Sequence, residues 1–220
     1  MSVRYHGRPT LDRVTWAARA GERWLVTGPN GAGKSTLLSL VAGDHPQAFA
    51  EDVRLFGRRR GDVSVWEWKR PVGLVSGELH QYFREPLTLR QAAATGFTDT
   101  LVPRRVTPAE AATLDRLLAE FGALDFAARP FLALSAGQQR LGLIVRALVK
   151  CPPLVILDEP FQPFDADTAA HCRRWLDDNL SPEQTLLFVT HEDRDRPHTL
   201  THELRLDAGR VAGCGPSVAE

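Results

Sequence analysis

The chain has 220 residues, 43% of them hydrophobic, and its 27 acidic and 27 basic side chains balance to a net charge of zero. This length allows one large domain or two small ones with a substantial core, and the charge balance excludes a bulk attraction to nucleic acid or to an anionic membrane. No apolar run approaches the roughly 18 residues of a membrane-spanning helix, and the three widely separated cysteines suit a reducing cytosol rather than a disulfide framework or a zinc site.

Two short strands, Val3–Tyr5 and Thr10–Trp16, are the first predicted elements, and they form a hairpin ahead of a glycine-rich segment. The aromatic ring of Tyr5 could stack on a nucleobase. It could equally be an edge-strand tyrosine that packs on its neighbours, and both interpretations stay open at this point.

A phosphate-binding loop is predicted at Gly28–Thr36, which reads G-x-x-x-x-G-K-S. The apolar run Arg23–Thr27 predicts a buried strand that enters the loop, and Ser35–Ala42 predicts a helix that leaves it and stops at Gly43. Glycines let the backbone fold closely around a polyphosphate, and the N–H groups of the loop and of the helix start can point at the anion.

The side chains of this loop predict a polyphosphate ligand with Mg²⁺. The Lys34 ammonium can reach the β- and γ-phosphates, and the Ser35 hydroxyl can ligate Mg²⁺. The predicted cofactor-binding residues of the loop are Asn30, Gly31, Gly33, Lys34, Ser35 and Thr36.

Two further strands are predicted at Asp52–Gly57, which ends in a turn, and at Val72–Val75. From about residue 76 to residue 150 strand patterns vanish and helical patterns dominate. In this segment Thr88 can cap a short helix that runs through Ala94.

Two stronger helices follow. Thr107 and Glu110 form a capping box at the start of a helix that Gly122 ends, and Ser135 can cap a helix over Ala136–Lys150. The turn around Ser135 offers backbone N–H groups and a hydroxyl, so it could bind a second anion. Local chemistry alone favours the simpler interpretation, an ordinary helix N-cap.

The α/β pattern returns at Pro153–Glu159, a continuous apolar run typical of a parallel strand buried on both faces. Asp158 and Glu159 end this strand, where an open α/β sheet binds its ligand. Asp158 is suited to hold Mg²⁺ opposite Ser35, and Glu159 to orient or deprotonate a water. Without the phosphate loop, the same two acids would indicate a solvated turn.

A helix over Ala166–Leu180, a strand over Thr185–Val189 and a hairpin over Glu203–Val211 complete the predicted elements. His191 follows the strand, where it could contact a γ-phosphate and link it to Glu159. An exposed loop histidine is the alternative.

The order of these motifs resembles the ATP-binding subunits of ABC transporters over nearly the whole chain. Gly28–Thr36 resembles the Walker A loop, and Leu154–Glu159 resembles the Walker B strand with the catalytic glutamate. Leu134–Gln138 is similar to the signature L-S-G-G-Q, with Ala136 in place of the first glycine. Tyr5 falls where the adenine-stacking aromatic belongs.

Two shorter matches support the resemblance: Phe164–Asp165 resembles the end of the D-loop, and Thr190–His191 the switch histidine. A narrower similarity, to the cassettes named after molybdenum transport and photorepair, rests on four segments: Ser39–Asp44, Phe56–Gly61, Val75–His80 and Gln138–Lys150.

The fold that the resemblance implies is an α/β P-loop NTPase core with an antiparallel β subdomain and a helical subdomain. The whole chain, 1–220, then forms a single ATP-binding domain. Residues 1–75 and 151–220 form the core with its β subdomain, and about 76–150 form the helical subdomain that includes the signature.

The mechanism that the resemblance implies is a head-to-tail dimer with ATP bound between the two copies. Ser135, Gly137 and Gln138 of one copy contact the nucleotide held by the Walker A loop of the other. Glu159 and His191 are the implied catalytic residues. ATP and Mg²⁺ are the implied cofactors, with Ser35 and Asp158 as metal ligands.

The implied partners are a second ABC domain, as a homodimer or a tandem partner, and a transmembrane permease; nucleic acid is not expected. The chain is then an ATPase that powers transport, with an oxyanion such as molybdate as the candidate substrate. Its expected location is the cytoplasm, peripheral on the inner face of the cell membrane.

Two features depart from the family pattern. The family pattern I-G-Y-V-P-Q has a glutamine at the position where this chain has Gly77. Gln81 lies too far along the chain to replace it. Met1 stands just before Tyr5, where the family has a longer first strand, so a truncated sequence or one half of a tandem cassette protein is expected.

Two other functions stay open. A cassette ATPase without a membrane partner could act in DNA repair, translation or another assembly, although zero net charge argues against direct binding to nucleic acid. A regulatory module that hardly hydrolyses ATP is the third possibility, and the presence of Glu159 and His191 argues against it.

Overall fold

Short, almost wholly apolar segments form the centre of a six-stranded sheet. The chain is described here from a computed structural model that covers residues 1–5, 8–77, 79–83 and 86–217. Its strands are β1 Val3–Tyr5, β2 Arg8–Leu11, β3 Arg23–Thr27, β4 Arg54–Leu55, β5 Arg58–Arg59, β6 Val72–Val75, β7 Leu154–Asp158, β8 Thr185–Val189, β9 His202–Asp207 and β10 Arg210–Pro216.

The large sheet has the strand order β10-β9-β3-β8-β7-β6. Its strands from β9 to β6 are parallel, and only the edge strand β10 runs antiparallel to its neighbour. Every residue of β7 and β8 is buried, which explains why all of them except Thr185 and Asp158 are apolar. The predicted α/β class is therefore confirmed, and two small antiparallel pairs, β1-β2 and β4-β5, lie outside the sheet.

Helices cover the sheet, and three of the six in the described ranges begin at the capping residues that the sequence predicts. Side chains of Thr88, Thr107 and Ser135 each accept a hydrogen bond from the first turn of their helix, and each is half of a capping box. The helices are α1 Lys34–Ala42, α2 Val65–Lys69, α3 Leu89–Ala94, α4 Pro108–Glu120, α5 Ala136–Leu148 and α6 Ala166–Asn179.

The strand predicted over Thr10–Trp16 is wrong in extent, because β2 ends at Leu11. Arg13 adopts a left-handed conformation, with φ 52°, which breaks the extended path of a strand. The strand predicted over Asp52–Gly57 is likewise reduced to the two residues of β4. Phe56 and Gly57 form the turn there, both with positive φ.

The short helix α2 is absent from the sequence-based predictions. Ser64 caps it in a capping box with Glu67, a signal present in the sequence. Trp68 is only 2% exposed, and its indole N–H donates to the Val41 carbonyl at 2.9 Å. A Cβ at Gly43 would lie 2.5 Å from the Trp68 ring, so the close packing of α1 and α2 requires a glycine there.

A buried ion network joins α5 to the segment after α3. Asp99 pairs with Lys150, and its carboxylate lies 3.9 Å from the Arg146 guanidinium. Lys150 also donates to the Lys69 carbonyl at the end of α2, at 3.0 Å. Burial raises the pKa of Asp99 and lowers those of Arg146 and Lys150, while the opposite charges act against each shift. The opposite charge beside each group therefore offsets part of the cost of burying it.

Replacing Asp99 with asparagine should lower the free energy of unfolding by about 3–5 kcal/mol, because two buried cations lose their anion. Asparagine keeps the shape and tolerates the positive φ of 54° at this position. Urea denaturation measures the change. The matched control is Asp52→Asn, an exposed partner of Arg54, for which we expect little change. Equal losses for the two variants would contradict the assigned role of burial.

Within the described ranges, no helix combines the length and the apolar content that crossing a membrane requires.

Candidate nucleotide-binding site

The predicted phosphate loop packs so closely on its neighbours that two of its residues must be glycine. A Cβ at Gly28 would lie 2.1 Å from the Leu206 carbonyl oxygen, and one at Gly33 would lie 2.7 Å from the Thr10 carbonyl oxygen. Both residues have positive φ, 136° and 98°. The structure thus forms the narrow backbone cradle that a polyphosphate requires.

Lys34 is the first residue of α1 and is only 7% exposed. Its ammonium donates to the carbonyl oxygens of Gly28 and Pro29 at 2.8 and 3.1 Å. The positive charge is therefore held across the loop, beside the N-terminal end of α1 and its unpaired N–H groups. Asn30 and Gly31 lie exposed at the loop tip.

Asp158 and Ser35 provide the oxygen ligands that Mg²⁺ prefers. Asp158 is the last residue of β7 and is 8% exposed. Burial raises the pKa of its carboxyl, whereas the hydrogen bond with Ser35 and the charge of Lys34 act in the opposite direction. A divalent cation at this position would offset the burial of the carboxylate, so the donor set fits Mg²⁺.

Glu159 and His191 are brought together at the same edge of the sheet. Glu159 follows β7 with a φ of 47°, and its N–H donates to the Val189 carbonyl at the end of β8 at 3.0 Å. The carboxylate Oε1 lies 3.0 Å from His191 Nε2, and both side chains remain partly exposed. Holding a glutamate in the left-handed region costs about 1–3 kcal/mol and is a common feature of functional sites.

The turn at Ser135 is an N-cap in this chain, the interpretation that local chemistry favours. Ser135 Oγ accepts from the Gln138 N–H at 3.2 Å, and Gln138 Oε1 accepts from the Ser135 N–H at 3.1 Å. Ser135, Gly137 and Gln138 are not among the described residues that line the cavity beside Ser35. Within one chain, the structure therefore does not bring this turn to the phosphate loop.

A cavity of about 930 Å³, here called the nucleotide cavity, contains Ser35, Thr36, Asp158 and Glu159. Gly77 and a group of apolar side chains line the same cavity. Tyr5 lies in β1, and its side chain is outside the described part of the structure, so its predicted stacking role stays a prediction. Glu78, within the segment quoted for the narrower resemblance, is also outside it.

Sequence reasoning missed two polar residues beside the carboxylates. Arg140 on α5 is 8% exposed, and its guanidinium donates to the Ser76 carbonyl at 3.0 Å. Gln162 lines the nucleotide cavity together with Glu159. Only the three-residue distance of Gln162 from Glu159 could have drawn attention to it, and no local signal links Arg140 with Ser76.

Comparison with known proteins identifies relatives over nearly the whole chain. The model of the ABC transporter family matches residues 11–162. ABC transporter ATP-binding protein ModF of Escherichia coli (strain K12) is 45% identical over 92% of this chain and 42% of its own length. An ABC transporter ATP-binding protein of Schizosaccharomyces pombe is 35% identical over 94% of this chain and 43% of its own length. The chain spans less than half of these two relatives.

A relative closer in length is the hemin import ATP-binding protein HmuV of Streptomyces coelicolor, 32% identical over 98% of this chain and 76% of its own length.

Among solved structures, the dimeric post-hydrolysis state of the ATP-binding cassette MJ0796 bound to ADP and Pi has a TM-score of 0.79. It shares 21% identity, over 98% of this chain and 94% of that one. A bacterial Atm1-family ABC exporter with ATP bound has a TM-score of 0.80 at 22% identity, over 97% of this chain and 37% of that one. These structures show the same fold.

Proposed function

Because the chain belongs to the ABC transporter family, we propose that it is an ATP-hydrolysing cassette that works as one of a pair and powers an ABC transport system. The observation that carries the proposal is the 3.0 Å contact of His191 Nε2 with Glu159 Oε1, beside the buried Asp158 and the phosphate loop. This arrangement supports the roles proposed here: Glu159 as the base, His191 as its orienting partner and Asp158 as a metal ligand.

Each residue then has one task. The glycine loop and Lys34 bind the phosphates, with Lys34 exchanging its present carbonyl partners for phosphate oxygens. Ser35 and Asp158 hold Mg²⁺, which neutralises charge on the phosphates when it is bound. Glu159 accepts the proton of the attacking water, and His191 keeps the Glu159 carboxylate oriented.

We propose that the turn at Ser135 contributes to nucleotide binding only when two cassettes pair. It lies away from the phosphate loop of its own chain, and its exposed N–H groups at the start of α5 suit an anion. We infer that it contacts the nucleotide held by the second cassette, which makes each site a composite of two copies. The longer relatives have room for a second cassette in the same chain, and this supports pairing.

Mixing two inactive variants tests the composite site. Lys34→Ala damages one side of the site and Ser135→Arg the other, so each variant alone should be inactive. A heterodimer of the two has one complete site, because each copy supplies what the other lacks. If the subunits exchange at random, half of the dimers are heterodimers, and each heterodimer has one of its two sites intact. The mixture should therefore recover about one quarter of the wild-type ATPase rate.

The mixture must be compared with each variant at the same total concentration. Ser135→Arg alone should still bind ATP, because its phosphate loop is unchanged, and this control shows that it folds. No recovery in the mixture, with both variants folded, would contradict a composite site. Full activity of Ser135→Arg alone would contradict it as well.

The proposed permease partner would contact exposed apolar side chains that line the nucleotide cavity. Trp66, Tyr82 and Val102 are three of them and are 59%, 57% and 70% exposed. Exposed apolar groups gathered along a groove are typical of a binding surface. The proposed transported substrate is an oxyanion such as molybdate, because the narrower resemblance is to cassettes named after molybdenum transport. Co-purification of a membrane permease from native membranes tests the partner.

Gly77 favours a second candidate, a cassette ATPase without a membrane partner that acts in DNA repair or another assembly. A Cβ at Gly77 would meet nothing within 4 Å, so the cavity wall lacks a side chain where the resemblance implies a glutamine. Co-purification with DNA or ribosomes, and not with membranes, would favour this candidate over transport.

A further inference from the structure

A rigid turn after β7 presents Gln162 to the nucleotide cavity. The Phe161 ring is buried and packs on Phe188, with ring centroids 5.6 Å apart. The Phe164 N–H donates to the Phe161 carbonyl at 2.9 Å, and the two rings stack at 6.0 Å. Gln162 lies between these anchored residues with its own side chain exposed. The turn therefore fixes the backbone of Gln162 three residues after Glu159.

The Gln162 amide is available for a ligand. It is the one amide side chain among the described residues that line the nucleotide cavity. No hydrogen bond links it to another described residue, although an amide both donates and accepts. The same side chain also lines a smaller cavity with Ala136 and Arg140 of α5.

The wall of the nucleotide cavity has no side chain at Gly77. Gln162 and Gly77 both line the cavity, and the space around a Cβ at Gly77 is open to 4 Å. The bond from Arg140 to the Ser76 carbonyl, 3.0 Å, holds the backbone just before Gly77. A Cβ at position 77 would therefore displace no neighbour, so a glutamine there could place a second amide in the cavity.

We propose that Gln162 is a positioning residue of this chain, whose amide would hydrogen-bond the water ligands of a Mg²⁺ bound by Ser35 and Asp158. This inference rests on the proposed function. Protein-bound Mg²⁺ keeps several waters, and outer-shell partners of a metal strongly affect its affinity. Gln162 would perform this task from the turn after β7, in a cavity where position 77 has no side chain.

Metal binding tests the proposal without reference to turnover. Mn²⁺, which gives an electron paramagnetic resonance signal, is titrated in the presence of a non-hydrolysable ATP analogue. Gln162→Ala should weaken Mn²⁺ binding about 10-fold, the lower end of the range for an outer-shell partner. Binding of the analogue without a metal should stay unchanged. An unchanged Mn²⁺ affinity in Gln162→Ala would overturn the proposal.

Restoring an amide at position 77 provides the second test. Gly77→Gln in the Gln162→Ala background should recover most of the lost Mn²⁺ affinity, because the two positions face the same cavity. The same substitution in the wild type should change the affinity little. Failure of Gly77→Gln to recover the affinity would overturn the claim that an amide at either position can support metal binding.

Gln184→Ala is the matched control, because it also removes a glutamine side chain. The Gln184 amide bonds the Pro152 carbonyl at 2.8 Å and the Ser181 N–H at 2.9 Å, at the start of β8. We expect this variant to melt earlier and to keep its Mn²⁺ affinity. If the wild type itself binds no ATP analogue, the proposed function fails. If the wild type binds the analogue and Gln162→Ala keeps the wild-type Mn²⁺ affinity, only this inference fails.

Discussion

Replacing Glu159 with glutamine should reduce the rate of ATP hydrolysis about 10³-fold, because a positioned general base contributes about 10²–10⁴-fold. The affinity for ATP should stay within a factor of about three, because Lys34 and the loop glycines, which bind the phosphates, are unchanged. Steady-state phosphate release and nucleotide titration measure the two quantities.

The size of this effect follows from how the residue is held. The bond from the Glu159 N–H to the Val189 carbonyl fixes the backbone in a left-handed conformation. Glutamine has the same shape and retains a hydrogen bond with His191, so the geometry survives while the basic oxygen is lost. The substitution therefore isolates proton transfer from binding.

The matched control is Glu192→Gln, which makes the same change in charge after the neighbouring strand β8. Glu192 is 62% exposed and pairs with Arg194. We expect its rate to equal that of the wild type. A Glu159→Gln rate within tenfold of the wild type would contradict the assignment of Glu159 as the base.

Replacing Lys34 with alanine should raise the dissociation constant for ATP about 100-fold, which corresponds to the loss of about 3 kcal/mol of charge-assisted hydrogen bonding. Lys34 is almost fully buried, and its ammonium donates to the carbonyl oxygens of Gly28 and Pro29. A phosphate that replaces these carbonyls gains a strong, weakly screened partner. Calorimetric titration measures the constant.

Two comparisons sharpen this prediction. Lys69→Ala removes a lysine that lines the same cavity but pairs with Asp44, and it should leave the affinity unchanged. Lys34→Arg keeps the charge but is too large and planar for the narrow loop, so we expect little rescue. Wild-type affinity in Lys34→Ala would contradict the assigned role of the loop.

Local signals in the sequence predict much of this fold. The capping residues Thr88, Thr107 and Ser135 mark the starts of α3, α4 and α5, because a cap is an interaction between residues three positions apart. The strands β7 and β8 are recognisable since both of their faces are buried. Asp158 and Glu159 could be paired with the phosphate loop because parallel strands end at one edge.

Other features depend on contacts between distant segments and have no local signal. The position of α2 is fixed by the bond of Trp68 to the Val41 carbonyl, although its Ser64 capping box could have been found. The bond of Arg140 to Ser76 spans 64 residues. The early end of β2 follows from the backbone of Arg13, a residue type that does not usually predict a positive φ.

The mass of the Glu159→Gln variant in solution tests the central claim most directly, because this variant should bind ATP and retain it. Analytical ultracentrifugation is carried out with ATP and Mg²⁺, with ADP and Mg²⁺, and without nucleotide. We predict twice the mass of a single chain with ATP and a single chain in the other two conditions. A single chain with saturating ATP bound, or a dimer regardless of nucleotide, would contradict the account.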